Sequence, residues 1–276
     1  MKKFVGIFFI SFTCILTSKA QFYYRDIISN KQLLQEMSLL REKKFRTIKI
    51  RSVEQDGTES EGFFCEKKIS KNYRASELFT RSDVTGASLF TSYFDEKGRL
   101  WQSRDSSALL LTVNNYSYDD QNRIKSIASS VKSSDDDFTT EIYEEHIYKH
   151  NGKDLPESMV RVKNRYDSTL ILFLPDEKNN IGIEKDTKTG SKYYYYYDEK
   201  NRLLDIVHPS EYKEKLLPDY LFEYNNAGQV SQMTSTEDGG SYYYTWKYSY
   251  DNGLRTREKC YSKEKKLMGT IEYEYK

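Results

Sequence analysis

The chain has 276 residues, of which 37% are hydrophobic, and its 43 Lys and Arg are balanced by 42 Asp and Glu. This apolar fraction is sufficient for a folded core, and 13 glycines and 4 prolines are too few for a disordered linker protein. Balanced charge gives no global field that would attract nucleic acid, so nucleic-acid binding is disfavoured. The unusual feature is the tyrosine content of 25 residues, which favours half-exposed strands, where the ring packs and the hydroxyl stays hydrated.

The first twenty residues have the order of a signal peptide. Two lysines follow the initiator methionine, and an apolar run from Phe4 to Leu16 is too short to span a bilayer. Small residues at Ser18 and Ala20 then form a cleavage site. We predict cleavage after Ala20, a mature chain that begins at Gln21, and export to the periplasm or cell surface.

Cys14 offers an alternative, in which a lipid is attached to a cysteine at the cleavage site. This fits poorly, because Thr13 is not the small residue expected there and the apolar Ile15 and Leu16 would remain on the mature chain. A second apolar run of spanning length does not follow, so the sequence predicts no transmembrane span in the mature chain.

The segment 21–44 precedes a β-rich region, 45–276. Apolar residues at helical spacing behind Ser29 or Asn30 predict a short amphipathic helix from Asn30 to about Lys44. A strand from Arg46 to Val53 and a turn at 55–57 then predict the first hairpin, which returns through 62–65.

A tyrosine-rich motif recurs through the β-rich region, with 22 to 27 residues between the turn residues of the clear copies. In each copy an Asp or Asn suits the first position of a type I turn, and a later Gly or Asn tolerates the left-handed backbone that returns the chain. The copies are Tyr93–Leu100, Tyr116–Ile124, Leu172–Ile181, Tyr195–Leu203, Phe222–Val230 and Tyr248–Leu254, with a decayed copy at 148–153.

The segments around these turns alternate as half-buried strands do, most clearly from Tyr242 to Tyr250. The sequence therefore predicts an all-β fold: an antiparallel meander of hairpins in one curled sheet, with a short N-terminal helix. The charged alternate positions of the last strand, such as Glu272 and Glu274, suit an edge that resists pairing. The segment Asp205 to Asp219 is predicted to be an irregular insertion with one or two helical turns.

The motif, an aromatic, any residue, Tyr, Asp, two variable residues, Gly or Asn, Arg, then Leu or Ile, resembles the YD repeats of rearrangement-hotspot and teneurin-type proteins. The resemblance covers about two thirds of the mature chain, from Tyr93 onward. It implies a β-hairpin array. Long arrays in that family form a hollow shell, sometimes around a toxin, whereas this array is short and we predict no toxin cargo.

Candidates for metal or acid–base chemistry are few. His146 and His150 lie on one face of a strand, yet no third ligand has suitable spacing, and His208 beside Pro209 is read as a loop residue. The run Asp135 to Asp137 lacks the alternating ligands of a calcium loop. We therefore predict no metal and no cofactor.

A nucleophile-elbow motif is absent from the sequence, so the chain is predicted not to be an enzyme. The alternative is an enzyme that processes envelope polysaccharide with a pair of carboxylates, which a single sequence does not reveal.

Five consecutive tyrosines, Tyr193 to Tyr197, place aromatic rings on both faces of a strand. Either these rings form the core of a thin sheet, or one face offers a surface that suits a glycan or an extended peptide. The candidate binding residues are Tyr193, Tyr195, Tyr197, Tyr244 and Trp246.

Cys65 and Cys260 are the cysteines of the mature chain, and an oxidising compartment permits them to pair. In a flat open meander they would lie far apart, so a disulfide between them demands a curled or closed sheet.

Taken together, these observations predict a non-catalytic binding or scaffold protein outside the cytoplasm, with an unknown partner. An outer-membrane barrel would need apolar lipid-facing positions along every strand, and Glu223, Glu272 and Glu274 argue against that.

Overall fold

The structure is a computed structural model that describes residues 22–133, 141–152, 155–209, 217–237 and 242–276. The described residues form one helix, α1 (Tyr24–Glu42), and eighteen strands. The strands are β1 (Thr47–Val53), β2 (Phe64–Ile69), β3 (Ala75–Ser82), β4 (Gly86–Phe94), β5 (Leu100–Ser107), β6 (Leu110–Tyr118), β7 (Ile124–Ser133), β8 (Ile142–His150), β9 (Pro156–Lys163), β10 (Asp167–Pro175), β11 (Ile181–Asp186), β12 (Lys192–Tyr197), β13 (Leu203–His208), β14 (Leu217–Tyr224), β15 (Val230–Glu237), β16 (Tyr242–Asp251), β17 (Leu254–Ser262) and β18 (Leu267–Tyr275).

Three predictions concern residues outside the described part of the chain. These are the signal peptide with Cys14, the run Asp135 to Asp137, and most of the predicted helical turns between Pro209 and Pro218. The ends of that predicted insertion are strands instead, because β13 continues to His208 and β14 begins at Leu217.

The sheet is closed, and the predicted open, curled sheet is wrong in this respect. Each strand pairs antiparallel with the next, and β1 also pairs with β18, which makes an eighteen-stranded barrel. The charged outer face of β18 was predicted to protect a free edge, but at the seam it lies opposite the basic strand β1. Glu272 pairs with Arg51, and the guanidinium of Arg51 lies 3.1 Å from the carboxylate of Glu272. Complementary charge thus replaces the expected repulsion.

The motif turns lie at one rim of the barrel and have the predicted geometry. Asp198 accepts hydrogen bonds from the amides of Lys200 (2.8 Å) and Arg202 (2.9 Å) and from Nε of Arg202 (2.6 Å), and Asn201 has a φ of 57°. The predicted turn from Asp198 to Arg202 is confirmed. The equivalent aspartates at 95, 119 and 176 make the same bonds to the amides two and four residues ahead.

In five places a tyrosine hydroxyl joins one hairpin to the hairpin before it. Arg202, held by Asp198, also lies 4.4 Å above the ring of Tyr224, so one turn contributes to two repeats. The motif residues therefore fix both the turn and the spacing of neighbouring hairpins. The hydroxyl-to-carbonyl bonds are Tyr118 to Leu100 (2.8 Å), Tyr197 to Ile181 (3.0 Å), Tyr224 to Leu203 (2.7 Å), Tyr250 to Val230 (2.7 Å) and Tyr275 to Arg255 (2.7 Å).

Helix α1 lies inside the barrel and joins opposite walls. Its first residues pack with the inner faces of β8 to β13, whereas Met37 and Leu40 near its end pack with β1 and β2, half the ring away. The prediction of an N-terminal helix is confirmed, but the helix begins at Tyr24 rather than Asn30. Among the described residues, no helix is long and apolar enough to cross a membrane.

Candidate functional site

The N-terminus of α1 is capped by a carboxylate from the barrel wall. Glu184 of β11 accepts hydrogen bonds from the amides of Tyr23 (2.8 and 3.0 Å) and Tyr24 (2.9 Å) and from the hydroxyl of Tyr195 (2.8 Å). The amides at a helix N-terminus have no partners within the helix, and the helix dipole favours a negative charge there. The N-cap residue itself, Tyr23, makes no capping bond through its side chain.

Burial governs the ionisation of this carboxylate. Glu184 is 3% exposed, and burial raises the pKa of its carboxyl from 4.5 to about 7, although the bonds from Tyr23, Tyr24 and Tyr195 oppose that rise. Near neutral pH the group therefore exists in both protonation states.

A second buried ionisable group, His146 of β8, lies beside the first turn of α1. Its Nδ1 is 2.6 Å from Oδ2 of Asp26, and its Nε2 is 2.9 Å from Oε1 of Glu144. Burial alone would lower the pKa of His146, but the two carboxylates outweigh it and raise the pKa to about 9. The imidazolium therefore donates to both acids at neutral pH, and the hydroxyl of Tyr148 donates to Asp26 at 2.8 Å.

Arg161 of β9 completes the cluster. Its guanidinium donates to the hydroxyl of Tyr23 and, at 3.3 Å, to Oγ1 of Thr169. We call Asp26, Glu144, His146, Arg161 and Glu184 the inner cluster. Its carboxylates and cations are bonded to one another or to α1, so the arrangement anchors the helix to β8, β9 and β11.

The three histidines take different positions. His146 belongs to the inner cluster, and His150 donates from Nε2 to the carbonyl of Ile124 at 2.8 Å. His208, read from sequence as a loop residue, ends β13, and its Nδ1 lies 2.6 Å from Asp219. Among the described residues, no group of three or more His, Cys, Asp or Glu has the geometry of a metal site.

The predicted binding residues face the interior. Tyr193, Tyr195 and Trp246 are buried, and Phe22 packs against the rings of both tyrosines at 5.7 and 6.3 Å. Tyr197 and Tyr244 are half-buried on the same inner face. These inner rings therefore form part of the core, which is the first of the two interpretations of the tyrosine run.

The other tyrosines of the run face outward, within an aliphatic part of the wall. In β8 to β12 the outward positions are largely apolar and join across strands: Ile147 pairs with Val160, and Val160 with Leu170. We call this surface the outer band. It comprises Ile147, Val160, Leu170, Leu172, Leu174, Ile183, Tyr194 and Tyr196.

The proposed disulfide does not form. Cys65 and Cys260 are both free and buried. Closure brings β1 against β18, yet Cys65 pairs with Ile50 of β1 and Cys260 with Gly269 of β18, so two whole strands separate the thiols. Three strand spacings amount to about 14 Å, twice the reach of a disulfide.

Sequence reasoning missed the inner cluster apart from His146. Glu184 lies in a short strand and is one of many acidic residues in the chain. Its partner Tyr23 is 161 residues away in the sequence. The one available signal was that Glu184 occupies an inward position of its strand, next to Ile183 and opposite the tyrosine run. An unpaired charge at such a position is costly.

Comparison with known proteins gives structural likenesses only. The chain matches no family model and no curated protein. The crystal structure of TcdB2-TccC3-TEV matches 79% of this chain at 10% identity with a TM-score of 0.38, and this chain spans 12% of that chain's length. A porin-like protein from Bacteroides uniformis matches 84% of this chain and 98% of its own at 11% identity, with a TM-score of 0.37. A porin-like protein from Bacteroides vulgatus matches 83% and 97% at 12% identity, with a TM-score of 0.31.

Proposed function

We propose that the chain is a non-catalytic binding or scaffold protein, built from YD-like hairpins, that acts in the periplasm or at the cell surface. One observation carries this proposal: the inner ionisable groups hold α1 in place, while aliphatic and aromatic side chains of the outer band are left exposed. The described strands form a closed sheet without a free edge to which a partner strand could add, so a partner would be recognised by side chains, and the outer wall offers exposed apolar ones. Exposed apolar surface of this kind suits a glycan, an extended peptide or a protein.

The experiment is a binding screen of the exported protein on glycan and peptide arrays, with turnover assays on the same glycans. We expect binding without turnover, weakened by Leu170→Ser in the outer band. Leu89→Ser is the matched control, because Leu89 is an outward leucine of similar exposure on β4 (36% against 39%). Equal binding by both variants would remove the outer band from the proposal.

Mass spectrometry of the exported protein tests the compartment. We expect an N-terminus at Gln21, as the free amine or cyclised. An intact Met1, or a lipid on Cys14, would contradict export by cleavage after Ala20.

The second candidate is an enzyme that acts on envelope polysaccharide. Glu184 favours it, because a carboxyl with a pKa near 7 can serve as a general acid, and Asp26 supplies a second carboxylate in the same cluster. Against it stands the enclosure of Glu184, whose acceptor oxygens are occupied by α1 and Tyr195. Turnover that Glu184→Gln abolishes, with unchanged glycan binding, would establish this alternative.

A further inference from the structure

A cavity opens where the two ends of the sheet meet, at the rim that carries the motif turns. It has a volume of about 410 Å³ and is lined by Lys44, Arg46, Thr47, Lys68, Ile69 and Lys276. We call it the seam cavity. Four of its lining residues are cations, and they come from the segment after α1, from β2 and from the residue after β18. Cavities of roughly 300 to 1,000 Å³ are typical of small-ligand sites.

Closure of the barrel fixes the lining of this cavity. Thr47 exchanges two backbone hydrogen bonds with Lys276, of 2.9 and 2.8 Å, and pairs with Lys68 on its other side. Residues in one cross-strand row project from the same face of a sheet, so Thr47 lies between two lysines. The amide of Arg46 donates to the carbonyl of Lys276 at 2.8 Å, and its carbonyl accepts from the amide of Ile69 at 2.8 Å. The backbone beneath the cations is therefore held by hydrogen bonds on both sides.

The adjacent row of the outer wall supplies too few carboxylates to neutralise the seam cavity. In that row Lys49 lies between Glu66 and Glu274. Glu66 is 3.1 Å from the ammonium of Lys68, and Glu274 is 3.0 Å from that of Lys276. Both lysines are exposed, and an exposed ion pair contributes little to stability, so each ammonium can exchange its partner.

Positive charge is therefore in excess at the seam. Within the described part of the chain, Lys44 and Arg46 make no ion pair, and both are exposed. The cavity and the adjacent row together hold five cations and two carboxylates, which leaves an excess of three, or of two if Lys276 carries a free terminal carboxylate. The surrounding cations hold the pKa of Glu274 below its usual value, chiefly through the hydrogen bond from Lys276. An anion bound in the cavity would offset this excess.

We propose that the seam cavity binds a phosphomonoester, with the guanidinium of Arg46 and the ammonium of Lys44 as its cationic contacts and the hydroxyl of Thr47 as a hydrogen-bond donor. A phosphomonoester carries nearly two negative charges at neutral pH, and an arginine fork donates to two of its oxygens at once. Lys68 and Lys276 can turn to it from their glutamate partners. This site is separate from the outer band and goes beyond the proposed function.

The distribution of charge favours a compact dianion over other anions. A carboxylate carries one charge and would leave part of the excess unpaired. An extended polyanion or a flat anionic surface requires cations along a track, whereas the row next to the cavity holds two carboxylates and one lysine. The excess is thus confined to the seam cavity, whose volume admits a phosphate together with part of the group that bears it.

Isothermal titration calorimetry of the exported protein with inorganic phosphate, at neutral pH and low ionic strength, tests the site. We expect a dissociation constant below about 1 mM for the wild type, and one at least about tenfold higher for the double variant Lys44→Gln, Arg46→Gln. Lys97→Gln is the matched control and should bind as the wild type does, because Lys97 is an exposed lysine in a motif turn at the same rim, outside the cavity. Circular dichroism spectra that superimpose establish that each variant is folded.

The threonine tests where the anion lies. Thr47→Val keeps a β-branched residue in the strand and removes one hydrogen bond, so it should weaken phosphate binding about fivefold. Unchanged binding by this variant would overturn the placement over Thr47. A wild-type dissociation constant above about 10 mM, or equal weakening by Lys97→Gln, would overturn the site, because phosphate would then respond only to net charge.

Vesicle flotation separates two sources of the phosphomonoester. Vesicles of phosphatidylcholine contain either phosphatidic acid, whose headgroup is a phosphomonoester, or phosphatidylglycerol, a phosphodiester. Flotation with phosphatidic acid that the double variant loses would identify a lipid headgroup, whereas phosphate binding without flotation would identify a soluble phosphorylated compound. Equal flotation with both lipids would overturn the proposal in favour of a general attraction to anionic surfaces. Leu170→Ser should leave phosphate binding unchanged, so a failure of this site is distinguishable from a failure of the outer band.

Discussion

The free energy of unfolding should fall as the pH rises from 4.5 to 7, because the buried carboxyl of Glu184 holds a proton that the unfolded chain releases. Burial raises the pKa of Glu184 from 4.5 to about 7 in the folded protein. Stability declines with pH wherever the folded state binds more protons than the unfolded state. A rise of this size corresponds to about 3 kcal/mol of stability that is present below pH 4.5 and lost above pH 7.

His146 should add a second decline at higher pH. Although burial opposes it, the carboxylates of Asp26 and Glu144 raise the pKa of His146 from 6.5 to about 9. The ion pairs of the imidazolium are fully present below pH 6.5 and are lost as the pH rises through 9, again by about 3 kcal/mol at most. The two groups thus destabilise the fold in successive ranges of pH.

The turn aspartates act in the opposite direction, at lower pH. Burial is the largest single influence on the pKa of Asp95, Asp119 and Asp176 and would raise it, but the hydrogen bonds from backbone amides and from the side chains that follow together outweigh burial and lower the pKa below 3.8. For Asp198, the bonds from Arg202 do the same. Their contribution is present above pH 3.8 and is lost only as the pH falls below it. We therefore expect maximal stability near pH 4.5 to 5, rather than at neutral pH.

Urea melts followed by tryptophan fluorescence, at intervals from pH 4.5 to 9.5, measure this profile. Glu184→Gln should flatten the range from 4.5 to 7 and leave the upper decline in place. His146→Gln should flatten the range from 6.5 to 9 and leave the lower one. The exposed turn residue Glu199, changed to Gln, is the control that should leave both in place.

Wild-type stability that is constant or rises between pH 5 and 9 would contradict the raised pKa values of both groups. A lower decline that persists in Glu184→Gln would contradict the role of Glu184. A variant that unfolds more easily at every pH, with the profile unchanged, would show that the carboxyl acts by packing alone.

Two predictions concern the turns and the thiols. Asn201→Val should lower the free energy of unfolding by roughly 1 to 3 kcal/mol, because a β-branched residue resists the positive φ of 57° at this position. Asn201→Gly should remain close to wild type. Equal urea midpoints for the two variants would contradict the turn. Cys65 and Cys260 are buried, and burial raises the pKa values of their thiols to about 11 and 12. Both thiols should therefore titrate in the denatured, unreduced mature chain and react slowly in the folded one. An absence of free thiols on denaturation would contradict the structure.

The meander was predictable because its signals are local. All parts of each turn lie within five positions: an Asp, the amides two and four residues ahead of it, and a residue with left-handed backbone. The turn from Asp198 to Arg202 therefore follows from its own sequence. Alternation along β16 likewise separated the two faces of that strand, and the structure shows that the face of Trp246, which is buried, packs inward.

The inner cluster was not predictable because it depends on contacts between distant segments. The helix was expected to begin at Asn30, where a side-chain cap was available, but Asn30 instead donates to the hydroxyl of Tyr118. A carboxylate from β11 caps six residues earlier, at Tyr24, because the barrel places Glu184 there. Capping rules read from neighbouring residues do not include a cap supplied by another element.

Closure was misjudged at β18, and hydrogen exchange can test it. In an open sheet, alternate amides of the segment 267–276 would face solvent and exchange quickly, whereas in the barrel they bond to β1, with Lys49 opposite Glu274 and Ile50 opposite Tyr273. We expect peptides from this segment to be protected as strongly as those from 242–251, which lie inside the sheet in either topology. Charged alternation on a strand indicates an edge only when no complementary strand is present, and β1 is that strand. Rapid exchange confined to 267–276 would show that the barrel is open at this seam.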